Sequence, residues 1–236
     1  DLKARVVGSL WWDRNRSADQ IPDLLDRRAE AVVGRFRGTT IKIMQDGVAE
    51  NYTAAMTEPY LDGCGCATEN SGLSFVDPVA LREYVTRLDA AGFQVHFHSL
   101  GDRAVREALD AIEAAISENG PSSNRHHLAH LQVVHPDDIA RFARLGATAN
   151  AQPLWACHEV QMDELTIPFL GEPRSSWQYP FADLLRAGAH LAAGSDWPVS
   201  SANPLEGMHV AVNRVAPGAT GDYAEPLYAH NRLTLA

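Results

Sequence analysis

"FQVHFHSLGDRAVREALDAIEAAISENG", residues 93–120, decides the fold. An apolar run carrying two histidines meets Gly101-Asp102, and a long amphipathic pattern follows. The run reads as a strand over 93–100 and the rest as a helix over 102–120, closed by Gly120. Gly101 frees the turn between them, and Asp102 is placed to cap the helix. His96 and His98 are two residues apart, so both face one side of the strand. His98 lies nearer its C-terminal end and His96 one layer deeper.

The same unit recurs along the chain. "ARVVGSLWW" (4–12) reads as strand and "DQIPDLLDRRAEAVVGRF" (19–36) as helix. "TIKIMQDG" (40–47) is a strand, followed by a long loop over 48–76 rich in Gly, Asn, Thr and Cys, then a helix over 77–92 that opens Asp-Pro and closes on Gly92. "RHHLAHLQVV" (125–134) is a strand and "HPDDIARFARLG" (135–146) a helix. "ATANAQP" (147–153) is a short strand before an irregular stretch over 154–179, a helix over 181–188, a strand over 190–196 and a helix over 203–214. Six strands, each followed by a helix, imply a parallel α/β sheet. No Gly-x-Gly-x-x-Gly follows any strand, so nucleotide binding has no support. Polar residues cluster at several strand ends instead, the habit of a β/α barrel with its reactive groups at the C-terminal mouth.

Bulk properties remove other classes. The 236 residues are 45% hydrophobic, enough for one sizeable core. A net charge of −10 and a pI near 5.4, without a basic stretch, argue against nucleic-acid binding. No apolar run approaches the roughly 18 residues of a membrane span, and no secretory signal pattern is present. Cys64, Cys66 and Cys157 do not make a disulfide framework. "CGC" at 64–66 reads as a free-thiol loop, and a reducing cytoplasm is the expected location. The chain opens inside a pattern without a starter Met and ends on "HNRLTLA", which reads as a piece of a longer protein.

The strand ends carry the chemistry. Lys42 sits between Ile41 and Ile43, where an amine is costly to bury unless it is paired with an acid or chemically altered. An amine that has reacted with carbon dioxide is anionic and can bridge two cations. His98 offers an imidazole ligand, and His96 reads as a hydrogen-bonded core histidine. Alternation puts His126, Leu128 and His130 on one face of the next strand and His127 on the other. His130 is nearest the mouth and is the best partner for His98. Asp196 closes "LAAGSD", where an acid can bind a metal or accept a proton; a turn or capping aspartate is the plain alternative. His135 reads as a surface or capping residue. His158 lies in the second irregular stretch and is placed to line a pocket. Trp155 and Trp197 follow strand ends and are the aromatic candidates for substrate contact; packing is the commoner use of tryptophan.

Lys at one strand end, His at each of the next two, and Asp on the last strand resemble the amidohydrolase superfamily. More closely, "VHFHSLGDRAVREALDAIE", "RHHLAHLQVVHPDDIARFARLGATANAQP" and "AAGSDWPVSSANPLEGMHVAVNR" resemble the branch that includes N-substituted formamide deformylase and the YtcJ-like hydrolases. The resemblance implies a (β/α)8 TIM-type barrel with one or two divalent metals, usually zinc. It makes Lys42 the strand-four lysine, carboxylated when two metals bind, His98 and His130 the ligands of strands five and six, and Asp196 the strand-eight acid that binds metal and takes a proton from water. The implied reaction is hydrolysis of an amide-type C–N bond (amide, formamide or carbamate) in a small-molecule substrate. Phosphoester or lactone hydrolysis on the same scaffold is the alternative, as is a catalytically inactive truncated barrel.

Two departures from the family stand out. Its first strand carries His-x-His, and the six strands here map onto strands three to eight; residues 1–236 are expected to form an incomplete barrel without the flanking β-sandwich. Many relatives also carry Glu before the strand-six histidine, where this chain has Ala129. Open edges predict association into a homo-oligomer or poor stability.

Overall fold

The computed structural model describes residues 3–235. Its sheet contains β1 (Val6–Trp11), β2 (Val32–Val33), β3 (Phe36–Met44), β4 (Gln94–Ser99), β5 (His127–His130), β6 (Thr148–Ala151) and β7 (His190–Ala193). The order is β1-β3-β4-β5-β6-β7, every neighbouring pair is parallel, and β2 pairs antiparallel with the start of β3. The helices are α1 (Ile21–Glu30), α2 (Pro78–Ala90), α3 (Asp102–Asn119), α4 (Pro136–Leu145), α5 (Ile167–Leu170), α6 (Phe181–Arg186) and α7 (Pro204–Asn213).

The six strand-helix units are as the sequence predicts, and several of their bounds shift. The first helix stops at Glu30 instead of running to Phe36. Val32 and Val33 are β-branched and leave the helix, and Gly34, at φ +56°, turns the chain so that they pair with Arg37 and Phe36. At α2 and α4 the end signals hold. Asp77 accepts the N–H groups of Val79 and Ala80, both at 3.0 Å, ahead of Pro78. His135 caps α4 by accepting the Asp137 N–H, and Gly146 ends that helix at φ +64°. At α3 the cap differs: Gly101 is the N-cap and Asp102 the first helical residue. The Asp102 carboxylate accepts the N–H of Thr57 instead, fastening the long loop to the helix.

The core lies between the sheet and one layer of helices. Ile41, Ile43, Val95, Phe97, Leu128 and Ala149 pack against Leu24 of α1, Leu81, Val85 and Leu88 of α2, Val105 and Ile112 of α3, Phe142 of α4 and Leu184 of α6. Burying each large side chain contributes about 1.5–3 kcal/mol. A doubly wound sheet would be covered on both faces; here the face opposite this core carries Lys42, His96, His98, His127 and Asn150. That one-sided cover is the curl of a β/α barrel. The barrel is not closed: β1 and β7 are edges, and Trp11 on β1 and Trp197 after β7 are 55% and 70% exposed. The three cysteines are free, Cys64 and Cys66 exposed and Cys157 buried. Among the described residues no helix is long and apolar enough to cross a membrane.

Candidate active site at the strand ends

Register brings the inward side chains of neighbouring strands together. Lys42 is level with His96, and His96 with His127. Lys42 Nζ lies 3.2 Å from His96 Nε2, and the His96 and His127 rings stack with centroids 4.1 Å apart. Burial, together with the Lys42 charge, depresses His96 to about 2. The ring is therefore neutral and its Nε2 accepts from the lysine. Burial also lowers Lys42 to about 8, against the pull of Asp196. His96 is the hydrogen-bonded interior histidine that the sequence suggests, and Lys42 is paired with a histidine.

Two residues further along β4, level with Met44, lies His98. Its Nε2 is 3.1 Å from the Gly47 carbonyl and 3.9 Å from Asp46 Oδ1. Burial holds the ring neutral, with its pKa near 4. A neutral ring that donates Nε2–H to a carbonyl keeps its lone pair on Nδ1. Asp46 is fully buried and accepts the N–H groups of Ala55 (3.0 Å), Leu100 (3.1 Å) and Gly101 (2.8 Å). One carboxylate thus ties the end of β3, the long loop and the β4–α3 turn together. Burial pushes that carboxyl up to about 7, against its three backbone hydrogen bonds. Asp46 is not among the residues that the strand-end pattern singles out; its signal in the sequence is an acid between an apolar strand and Gly47.

On β5 the alternation holds through Leu128 and fails at His130. His126 and Leu128 face the helices: His126 Nε2 lies 3.0 Å from Asp89 of α2, and Leu128 joins the core. His127 faces inward against His96 and lies 3.2 Å from Asn150 Nδ2. A regular strand would send His130 toward the helices with Leu128. It reaches the mouth because His130 and Leu131 adopt φ +81° and +53°, which breaks the two-residue period. Its ring meets His98 edge-on, with centroids 4.5 Å apart, and stacks on Trp155 at 5.3 Å. His130 is 3% exposed and its Nδ1 has no hydrogen-bond partner among the described residues. Burial first, then the charges of His98 and Lys42, drive its pKa well below the ordinary value.

Asp196 follows β7 in a left-handed conformation at φ +53°. Burial raises its carboxyl while Lys42 lowers it, so the two groups sense each other across the sheet. Trp197 points away into solvent. His158 Nδ1 pairs with Asp163 at 2.6 Å in the loop after β6. That loop is braced to the long one: Leu61 N–H donates to Phe169 O at 2.8 Å, and the buried Arg174 reaches Glu58 O at 2.8 Å. An apolar groove of about 380 Å³ at the β7 edge, lined by Leu191, Phe181 and Met208, lies apart from the histidines.

The donor chemistry fits a divalent cation: two neutral imidazoles, one with a buried unpartnered nitrogen, an amine softened by burial, and a carboxylate. Yet among the described residues no group of three or more His, Cys, Asp or Glu side chains is arranged to hold an ion jointly. Two histidines converge, and Lys42 and Asp196 flank them.

The Amidohydrolase family profile matches residues 12–235. The chain is 34% identical over 178 residues to Protein LONG AFTER FAR-RED 3 of Arabidopsis thaliana, covering 75% of this chain and 29% of that protein. It is 32% identical over 176 residues to the putative amidohydrolase YtcJ of Bacillus subtilis (strain 168), covering 74% and 31%. Against N-substituted formamide deformylase of Arthrobacter pascens the identity is 26% over 193 residues, covering 81% and 34%. An uncharacterized metal-dependent hydrolase from Pyrococcus furiosus superposes with a TM-score of 0.71 at 29% identity, over 98% of this chain and 46% of that one. The chain thus spans about a third of the curated relatives' length. The match of the family profile over residues 12–235, nearly the whole chain, identifies the chain as a member of the amidohydrolase family.

Proposed function

We propose that this chain supplies part of the active site of a zinc-dependent hydrolase that cleaves an amide-type C–N bond, in an amide, formamide or carbamate. The observation that carries the reading is the meeting of His98 and His130 at the barrel mouth, with a buried Nδ1 of His130 that has no hydrogen-bond partner among the described residues. Lys42, His98, His130 and Asp196 are the residues that would hold the metal. A divalent cation there supplies a Lewis acid that polarises a carbonyl and makes water acidic near neutral pH. The chain's own groups do the rest. The Asp196 carboxylate, raised by burial, accepts a proton from the attacking water and returns it to the departing amine nitrogen. Gly47 and Asp46 keep His98 in the tautomer that presents Nδ1. Lys42, lowered to about 8, has a neutral amine fraction near physiological pH, the form that adds carbon dioxide to give a carbamate and a proton. Three free cysteines suit a reducing cytoplasm.

The test is zinc content with turnover of a panel of amides, formamides and carbamates, run beside phosphoesters and lactones. The expected result is zinc bound with C–N turnover, and Asp196→Asn abolishing turnover with zinc retained. Turnover of phosphoesters or lactones alone would reassign the reaction. An Asp196→Asn variant as active as the parent would remove Asp196 from its role, and a metal-free, inactive protein would overturn the reading.

A further inference from the structure

A cavity of about 330 Å³ opens where the chain leaves β1, and Trp11, Trp12, Arg14, Met44 and Phe75 are among the residues that line it. Register sets it beside the histidines: Trp11 is level with Lys42, and Met44 with His98. The Trp12 backbone N–H donates to Lys42 O at 3.0 Å and holds the chain there. The Trp12 indole is 2% exposed and packs on Tyr84 of α2, with ring centroids 4.9 Å apart. Its Nε1–H, the one polar group of that side chain, has no hydrogen-bond partner among the described residues. Arg14 stands over Phe75, its guanidinium carbon 4.5 Å from the ring centroid. The acids nearest in sequence are engaged elsewhere. Asp13 Oδ1 accepts the Asn15 N–H at 2.9 Å, and Asp19 and Asp23 pair with Arg16, so Arg14 has no ion-pair partner among the described residues.

A buried N–H without an acceptor, a guanidinium without a counter-ion and apolar walls together call for an anionic acceptor on an apolar body. The unpaired donor costs free energy that an acceptor recovers. The planar guanidinium offers parallel N–H groups that match a carboxylate, and its seat on Phe75 limits the freedom it would lose on binding. The chain as a whole carries a net charge of −10, which repels anions, so an anion that binds here is held by these local donors. We propose that this cavity binds a carboxylate carried on an aromatic ring, as one end of the substrate. Arg14 and the Trp12 indole N–H hold the carboxylate, and Trp11, Met44 and Phe75 flank the ring. This rests on the hydrolase reading: the scissile bond would lie at His98 and His130, and the acidic end toward β1.

Benzoate and acetophenone make the test, because they are close in shape, differ in charge, and contain no bond that the proposed reaction cleaves. Titration of the full chain should show benzoate binding roughly tenfold tighter than acetophenone, the scale of one hydrogen bond to a charged group. Benzoate should also shift the Trp12 indole N–H resonance, assigned by its loss in Trp12→Phe. The preference should weaken with salt. It should vanish in Arg14→Gln, a substitution at an exposed position, with far-ultraviolet dichroism and melting temperature confirming that the variant folds. Equal affinities, or a preference that survives Arg14→Gln, would overturn the proposal. So would benzoate shifts confined to the His98 and His130 rings, which would put the carboxylate on the metal ligands. Benzoate preference with no amide turnover would keep the cavity and sink the hydrolase reading. Turnover of neutral amides with no benzoate preference would do the reverse.

Discussion

The His98 and His130 rings meet at 4.5 Å, with planes at 67°, although their strands offer them to opposite faces of the sheet. The register pairs His130 with Ser99 and pairs His98 with Ala129. A regular β5 would therefore carry the His130 ring to the helix side. Its left-handed backbone swings the ring back over the mouth, against Trp155. The site is thus built on a backbone conformation that costs an L-residue about 1–2 kcal/mol.

That cost separates the backbone from the ring. His130→Gly should be more stable than His130→Ala by about 1 kcal/mol, since glycine adopts φ +81° without the Cβ penalty. Both variants should lose metal affinity at least tenfold, an expectation drawn from the removal of a ligand. Urea denaturation and competitive chelation measure the two effects. Equal stabilities would show that the left-handed conformation relaxes freely.

The sequence made the βα alternation plain because each unit carries its own end signals, such as Asp77-Pro78 and Gly146. The inward placement of Lys42 and His98 followed from a period of two along regular strands. His130 was chosen for the right place by the wrong route, since alternation takes no account of a positive φ at a non-glycine residue. Asp46 is not legible in the sequence because its partners Ala55, Leu100 and Gly101 are 9 to 55 residues away in the chain, and only folding brings them together. The helix expected over 19–36 ends at Glu30, because two valines and Gly34 favour a hairpin over 31–36.

Gly101 has an ordinary φ of −79°, yet it has no room for a side chain. A Cβ there would lie 2.0 Å from the Ala55 carbonyl oxygen, which accepts the Arg103 N–H at 3.0 Å. Gly101→Ala should cost about 1–3 kcal/mol, because backbone has to move. It should also shift the amide resonances of Ala55, Leu100 and Arg103, reporting the loop parting from α3. Unchanged stability would mean that the 46–57 loop is not held there.

Acid should weaken the fold through His126. Its Nε2 lies 3.0 Å from Asp89 Oδ1, and its Nδ1 accepts the Val95 N–H at 3.0 Å. Burial keeps the ring below its ordinary pKa although Asp89 pulls the other way. The unfolded chain takes up a proton near pH 6.5 while the folded ring does not, so stability falls as pH drops below about 6.5. The slope from this one group is about 1.4 kcal/mol per pH unit at most. Asp89 acts in the same direction at lower pH. Burial favours its neutral form, but hydrogen bonds from Ser122, Asn119 and Asn124 hold it below the usual carboxylate range. Stability from Asp89 is present above its unfolded value of about 3.9 and is lost as pH falls through the folded one. Denaturation curves at pH 7 and pH 5 should show a smaller loss for His126→Gln than for the parent. An identical loss would assign the acid sensitivity to the mouth histidines.

The two tryptophans near the mouth divide by contact. Trp155 lies nearly parallel to His130, at 14° and 5.3 Å, whereas Trp197 is 70% exposed. Removing Trp155 takes away the face that keeps the His130 ring in place, and an aromatic contact of this kind contributes about 0.5–1.5 kcal/mol beyond burial. Trp155→Ala should move the His130 ring resonances and loosen metal binding, while Trp155→Phe restores most of both. Trp197→Ala should leave stability within about 0.5 kcal/mol of the parent, as expected for an exposed position. Metal titration followed by histidine NMR reads both variants. A loss of metal affinity in Trp197→Ala with none in Trp155→Ala would transfer the aromatic role to Trp197, and would mean that the β7 end folds over the mouth when the metal binds.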